Sequence, residues 1–421
     1  MKNLLRRFKK SVGPGVITGI ADDDPSGIAT YAQTGAMFGL GQLWLALYAI
    51  PLMIATQEMC GRIGMVTGKG LAGIIKLHYA KSVLYLAVFL LLVANMINIG
   101  ADLGAMSASI GLVSPVSFGA GLIAITLFCI LTTVFIPYTT YVKILKWLAL
   151  SVAAYIVAAL TISHAWGDIW KALFVPHFNF DKAFLLNLTA MLGTTISPYL
   201  FFWQASEEVE EEITGKKLRF FGRGTPKVTG RDLGQMRSDT IVGMIASNVV
   251  SFFIIITAAS TLYGTGTVGT ISAETLARAL EPLAGSFATA IFALGIIGTG
   301  LLAVPVLAGS AGYALAESFK ESEGLGKSFF QAKFFYSVIV ISMLAGALIN
   351  VLGVDPMLML YYAAAINGVL AAPLIIIILF IANNKKILGD HTNSRMSNIF
   401  GWATAVIMGL ISILTIEAFL R

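Results

Sequence analysis

Charge is what this chain has least of. Asp, Glu, Lys and Arg make up only 12% of its 421 residues, about half the share of a soluble domain, so the sequence cannot dress an ordinary water-facing surface. Cysteine is scarcer still. Cys60 and Cys129 are the only two, both inside or at the end of apolar runs, and no disulfide framework follows from them. There are four histidines; His164 and His177 sit near the ends of one loop and read as interfacial residues rather than metal ligands. No phosphate-binding glycine loop, nucleophile–base constellation or metal-hydrolase motif occurs, which leaves little for an enzyme to work with.

What the chain has in abundance is apolar sequence, 57% of all residues, with a mean hydropathy of +0.84. A span needs roughly 20 apolar residues, and eleven segments qualify: 12–35, 42–61, 83–112, 117–136, 145–164, 183–206, 240–263, 283–316, 334–353, 357–382 and 398–419. The fold class is therefore all-α and membrane-embedded, a single transmembrane domain over 1–421. Lys2, Arg6, Arg7, Lys9 and Lys10 ahead of the first run imitate the start of a signal peptide, but three aspartates and the missing cleavage site argue that the segment is retained. All but Lys171, Lys182, Arg278 and Arg421 of the 28 basic residues fall on one side of an eleven-span topology. The positive-inside rule then puts the N-terminus in the cytoplasm and the C-terminus outside, with the cell membrane as the expected location. The net charge of +6 reflects that topology and anionic lipid; nothing points to nucleic acid or to an obligate protein partner.

Inside the first span lies Ala21-Asp22-Asp23-Asp24-Pro25-Ser26-Gly27. Carboxylates at bilayer depth cost several kcal/mol each unless compensated, so they mark a candidate site. Pro25 cannot donate to the Ala21 carbonyl and should break the helix near Asp24. Acids at the C-terminal end of the first half-helix would face the negative pole of its dipole, which makes sense with a cation between them. The sixth span repeats the device in Gly193-Thr194-Thr195-Ile196-Ser197-Pro198-Tyr199, where Pro198 frees the Thr194 carbonyl. Two interrupted helices, each opening a set of five, are the sequence sign of inverted repeats around a midplane site. The repeats are 12–164 and 183–382, with 398–419 as an additional helix.

Other polar residues in the spans are fewer. Asn95, Asn98 and Asp102 punctuate the third span, with Asn95 and Asp102 on one face, and Asn367 stands mid-way along the tenth; Asp102 and Asn367 are candidate pathway residues. The exit of the second span, Arg62-Ile63-Gly64-Met65-Val66-Thr67-Gly68, reads as a helix end with a flexible connector. Glu207, Glu208, Glu210, Glu211 and Glu212 read as a solvated helix end neutralised by the basic loop that follows. Glycines 298, 300, 309 and 312 read as packing positions.

At these breaks the chain resembles the natural-resistance-associated macrophage protein (NRAMP) family of divalent metal transporters. Gly13-Pro14-Gly15, Asp24-Pro25-Ser26-Gly27 against the family's Asp-Pro-Gly-Asn, the 62–68 exit and Ala101-Asp102-Leu103 carry the likeness. It implies the LeuT-type fold, inverted five-helix repeats with an extra eleventh helix, and alternating access. It also implies a metal held by Asp24 with the carbonyls of Ala21 and Thr194. Asp22 and Asp23 would add negative charge or anchor water, and Ser197 and Tyr199 would line the cavity. Gly27 stands where the family has Asn, and Ser197-Pro198-Tyr199 where it has Met-Pro-His, departures that are similar to those of the NRAMP-related magnesium transporters. Hard oxygens in place of a soft thioether suit Mg²⁺. Without the histidine, a group titrating near neutral pH is missing at that position, so weak or no proton coupling is expected. Mg²⁺, and Mn²⁺ beside it, is then the transported substrate, with no cofactor. The alternatives are a proton-coupled Mn²⁺/Fe²⁺ transporter and a cationic amino-acid transporter. More remote is an intramembrane aspartyl protease pairing Asp24 with Asp102.

Overall fold

A computed structural model describes residues 13–136, 153–161, 165–265 and 272–420. Among them, eight helical stretches are long and apolar enough to cross a bilayer, one of which, Lys182–Thr214, is interrupted. The first expected span is split into α1 (Pro14–Asp22) and α2 (Pro25–Phe38), each too short to cross alone. The second, α3 (Leu45–Thr67), is a continuous helix diluted by Gln57, Glu58 and Arg62. Then come α4 (Lys81–Val113) and α5 (Phe118–Phe135). Most of the fifth expected span, 145–164, lies outside the described residues, leaving the helix Ala153–Thr161. The sixth is again split, into α6 (Lys182–Thr195) and α7 (Pro198–Thr214). The remaining long helices are α8 (Gly230–Thr261), α9 (Ala288–Phe319), α10 (Lys333–Ile349), α11 (Pro356–Ala382) and α12 (Arg395–Leu420).

Small residues let the helices that carry the breaks come close to their supports. A Cβ on Gly193 of α6 would strike the Ala364 carbonyl and the Gly368 backbone of α11. Gly19 of α1 and Gly243 of α8 meet backbone to backbone, as do Gly100 of α4 and Gly346 of α10. On α9, Cβ atoms at Gly300, Gly309 and Gly312 would lie 2.6 Å from Met106, 2.8 Å from Trp203 and 2.9 Å from Phe335, the packing expected of those positions. Buried amides add directional ties. Asn187 of α6 donates to Thr34 of α2 at 2.9 Å and to Gln42 at 2.8 Å, and Asn95 donates to the Leu307 carbonyl at 2.8 Å and to Ser310 at 2.7 Å, fastening α4 to α9.

Two expectations fail at the basic end of the molecule. The exit of α3 is helical through Thr67, where Gly68 in a left-handed conformation closes it. Arg62 is buried there, paired with Glu58 at 3.2 Å, donating to the His391 carbonyl at 2.9 Å and bonded to Asn393. A connector with those ties is fixed, not flexible. The glutamate run is likewise internal: Glu207, Glu208 and Glu212 are buried, and of the five only Glu211 is exposed. The reason is that α7 continues to Thr214 between α3 and α9. Its acids find Gln204 (2.9 Å from Glu208), Lys217 (3.3 Å from Glu212) and Tyr313 (2.9 Å from Glu210) instead of water.

Candidate metal site

Pro25 opens α2, and Asp24 becomes its N-cap, with Oδ1 accepting from the Gly27 N–H at 2.7 Å and from the Ser26 hydroxyl at 2.6 Å. This corrects part of the dipole argument. Asp22 ends α1 and Asp23 caps it, at the negative pole, but Asp24 sits at the positive pole of the next helix, where a carboxylate is favoured. The helix that Asp24 opens thus supplies its hydrogen bonds, whereas Asp22 and Asp23 are left to other means. Those means are Ser247 of α8, whose hydroxyl lies 2.7 Å from Asp22 Oδ2 and 3.0 Å from Asp23 Oδ1. One hydroxyl proton serves two carboxylates, and Asp22 Oδ1 has no hydrogen-bond partner among the described residues. Ser247 escaped the sequence reading because a lone serine in an apolar span carries no signal.

The second break meets the first. The Tyr199 hydroxyl, at the start of α7, lies 3.1 Å from the Ala21 carbonyl and 3.4 Å from Asp24 Oδ2. The hydroxyls of Ser26 and Thr194 stand 3.4 Å apart. Gly27 is wedged between the two breaks: a Cβ there would lie 3.3 Å from the Asp22 carbonyl and 3.4 Å from Thr194 Oγ1. The Ser197 hydroxyl lies 2.9 Å from each of the Gly193 and Thr194 carbonyls, so the oxygen freed by Pro198 is within reach of a local donor. All of these residues are buried. The geometry thus brings Asp24, Ala21, Gly27, Thr194 and Tyr199 together across the two breaks, while Ser197 is turned to the carbonyls of its own segment and Asp22 and Asp23 to Ser247.

Asp102 and Asn367 lie on other helices and are also buried. Asp102 is fully buried on α4, and neither carboxylate oxygen has a hydrogen-bond partner among the described residues. Asn367 exchanges amide hydrogen bonds with Asn98 at 2.8 and 3.1 Å, clamping α11 to α4. Among the described residues no three His, Cys, Asp or Glu side chains converge as a metal-binding set. A cation at the breaks would rest on one carboxylate oxygen, peptide carbonyls, hydroxyls and water, a hard, oxygen-only surrounding.

Residues 15–417 match the family description "Natural resistance-associated macrophage protein-like". The chain belongs to this family. As an NRAMP-family protein it is a carrier and not an enzyme. It is 28% identical over 403 residues to a "Divalent metal cation transporter MntH" of Klebsiella pneumoniae (strain 342), covering 94% of this chain and 91% of the relative. Its backbone is similar to that of the Eremococcus coleocola manganese transporter, with a TM-score of 0.76 at 16% identity over 97% of this chain and 86% of the other. An inward-facing Mhp1 structure is more distant, at a TM-score of 0.51 and 12% identity, with 97% of this chain and 90% of the other covered. The fold is the LeuT type: inverted five-helix repeats with an eleventh helix added.

Proposed function

We propose that, as the divalent metal transporter its family membership makes it, this protein carries Mg²⁺, with Mn²⁺ as a second substrate, by alternating access. The observation that carries the reading is the meeting of Asp24 Oδ2, the Ala21 carbonyl and the Tyr199 hydroxyl at the junction of two proline-broken helices. Every donor there is an oxygen, and Ser197 and Tyr199 occupy the places where a thioether and an imidazole would favour transition metals. Mg²⁺ gives up water reluctantly and is commonly held by one or two carboxylates with several waters kept. Asp24 is the direct or water-mediated ligand, Ala21 and Thr194 supply carbonyls, and Gly27, Ser197 and Tyr199 shape the chamber. Asp22 and Asp23 add charge and anchor water. Asp102 belongs to the pathway, and Asn367 holds its wall through Asn98. The metal is cargo, and no cofactor takes part.

The repeats are 12–164 and 183–382, the membrane is the cell membrane, and the N-terminus is cytoplasmic. Coupling to protons is weak or absent because Tyr199 replaces the residue type that titrates near neutral pH. A second reading, a proton-coupled Mn²⁺ carrier, is favoured by the manganese transporter among the similar structures. Proteoliposomes separate the two: uptake of Mg²⁺ is read with an internal Mg²⁺ dye and internal pH with a second. Expected are Mg²⁺ entry without acidification and a loss of at least tenfold in rate on Asp24→Ala. Undiminished transport by Asp24→Ala would overturn the site, and acidification in step with Mg²⁺ would restore the coupled reading.

A further inference from the structure

At the basic end of the helices a cavity of about 770 Å³ opens, within the range that holds drug-sized ligands. Its wall comes from three separate stretches of chain: the connector following α3, the 220–223 turn following α7, and the segment that leaves α9. Lys69, Lys76, Arg223, Lys320 and Lys327 all line it, and among the described residues none of the five forms an ion pair within 4.0 Å. Partial loss of solvent, with Lys320 adding repulsion, lowers the pKa of Lys76. Lys69, Lys76 and Lys327 donate to the Thr67 carbonyl at 3.4 Å, the Glu317 carbonyl at 3.3 Å and the Ser322 hydroxyl at 3.0 Å, neutral acceptors that leave the cluster's positive charge without a carboxylate in direct contact.

Three carboxylates share the wall with these five cations, Glu317, Glu321 and Glu323; Glu321 is exposed to solvent, and the other two are committed elsewhere. Glu317 accepts from the Gly70 and Gly73 N–H groups at 2.6 and 2.9 Å and so is spent on the helix Leu71–His78. Glu323 is 7% exposed; burial, reinforced by Glu317, pushes its pKa up to about 10, so it is uncharged at neutral pH. Its Oε2 has no hydrogen-bond partner among the described residues, leaving a buried polar atom on this wall unserved. The aromatic side of the cavity is built rather than loose. Gly222, with φ of 70°, forms the turn and donates to the Gly68 carbonyl at 2.9 Å. Phe221 stacks on Tyr313 with centroids 5.5 Å apart, and Phe220 presents its ring at 55% exposure.

We propose that this cavity binds a nucleoside polyphosphate, with the phosphates on the lysine and arginine cluster and the base against Phe220. Concentrated positive charge selects the phosphates, and an exposed aromatic ring beside it offers a stacking face that free phosphate would not use. A ligand held by three segments at once favours whichever carrier conformation keeps them together, so occupancy would regulate the transport cycle from the side that the basic loops face.

Isothermal titration of the full-length protein in detergent, with AMP-PNP and with inorganic tripolyphosphate as probes, tests this. AMP-PNP is expected to bind saturably and at least tenfold more tightly than tripolyphosphate. Phe220→Ala is expected to erase that difference, and Arg223→Glu combined with Lys320→Glu to weaken AMP-PNP at least tenfold with the ligand-free Tm unchanged. If the double variant fails to fold, Lys320→Ala replaces it with a smaller expected loss. No saturable AMP-PNP binding, tripolyphosphate binding as tight as AMP-PNP, or displacement of AMP-PNP by phosphoinositide-containing micelles at lower concentration would each overturn the proposal, the last in favour of a lipid headgroup. Mg²⁺ uptake is measured separately, so a protein that transports but does not bind AMP-PNP sinks this inference alone.

Discussion

Asp24, Pro25 and Pro198 were legible in the sequence because each breaks a rule: acids do not belong at bilayer depth, and prolines free a carbonyl wherever they interrupt a helix. Ser247 broke none, and its position between Asp22 and Asp23 appears only in three dimensions. The same contrast governs Ser197. Its identity was readable as the absence of a thioether, but its commitment to the carbonyls of Gly193 and Thr194 was not. Ser197→Met should therefore do two things at once, releasing the Thr194 carbonyl and adding a soft donor at the second break. The expected outcome is that Cd²⁺ inhibits Mg²⁺ uptake at a concentration about tenfold lower than in the parent protein, since thioether ligands prefer softer metals. Unchanged Cd²⁺ inhibition in the same proteoliposome assay would mean that position 197 does not face the ion.

At the scale of the element, the breaks were read correctly and the helix ends were not. A proline fixes a break to within a residue, whereas the ends of α3 and α8 depend on partners far along the chain or on capping. The run into α8 starts at Gly230 because Thr229 and Asp232 form a reciprocal cap, ten residues of polar helix that hydropathy alone assigned to a loop. In α3, a Cβ on Gly64 would collide with the Ala205 carbonyl of α7, and backbone cannot step aside as a side chain can. Gly64→Ala is expected to cost about 1–3 kcal/mol as overpacking, read as a lower Tm and a smaller monodisperse fraction in detergent. Glu323 makes a prediction of opposite sign. Folded, it keeps its proton to about pH 10, against 4.5 for an ordinary glutamate, so between those values the folded chain holds more protons and its stability falls as pH rises. Glu323→Gln should raise Tm at pH 8 by more than at pH 5; an equal change at both would show that the carboxyl is not held protonated.

For the whole molecule, the sequence reading rests on the distribution of charge, and the structure adds a way to check it. The orientation argument is statistical, because a few basic residues on the wrong loops would reverse it, and the fold reads the same from either side of a bilayer. Cys60 and Cys129 are both fully buried, at 0% exposure, so the parent protein should give almost no background with a thiol reagent. Lys171, in the helix Trp166–Phe174, and Lys216, just beyond α7, are both exposed, and the two loops should lie on opposite sides of the membrane. In intact cells, Lys171→Cys is expected to react with a membrane-impermeant maleimide, and Lys216→Cys only after permeabilisation. The reverse pattern would place the nucleotide cavity and the buried glutamates of α7 outside the cell, where millimolar nucleotide is not available to act on a carrier. Labelling therefore decides two matters together: which way the basic loops face, and whether the cavity they line can act as a sensor of the cell interior.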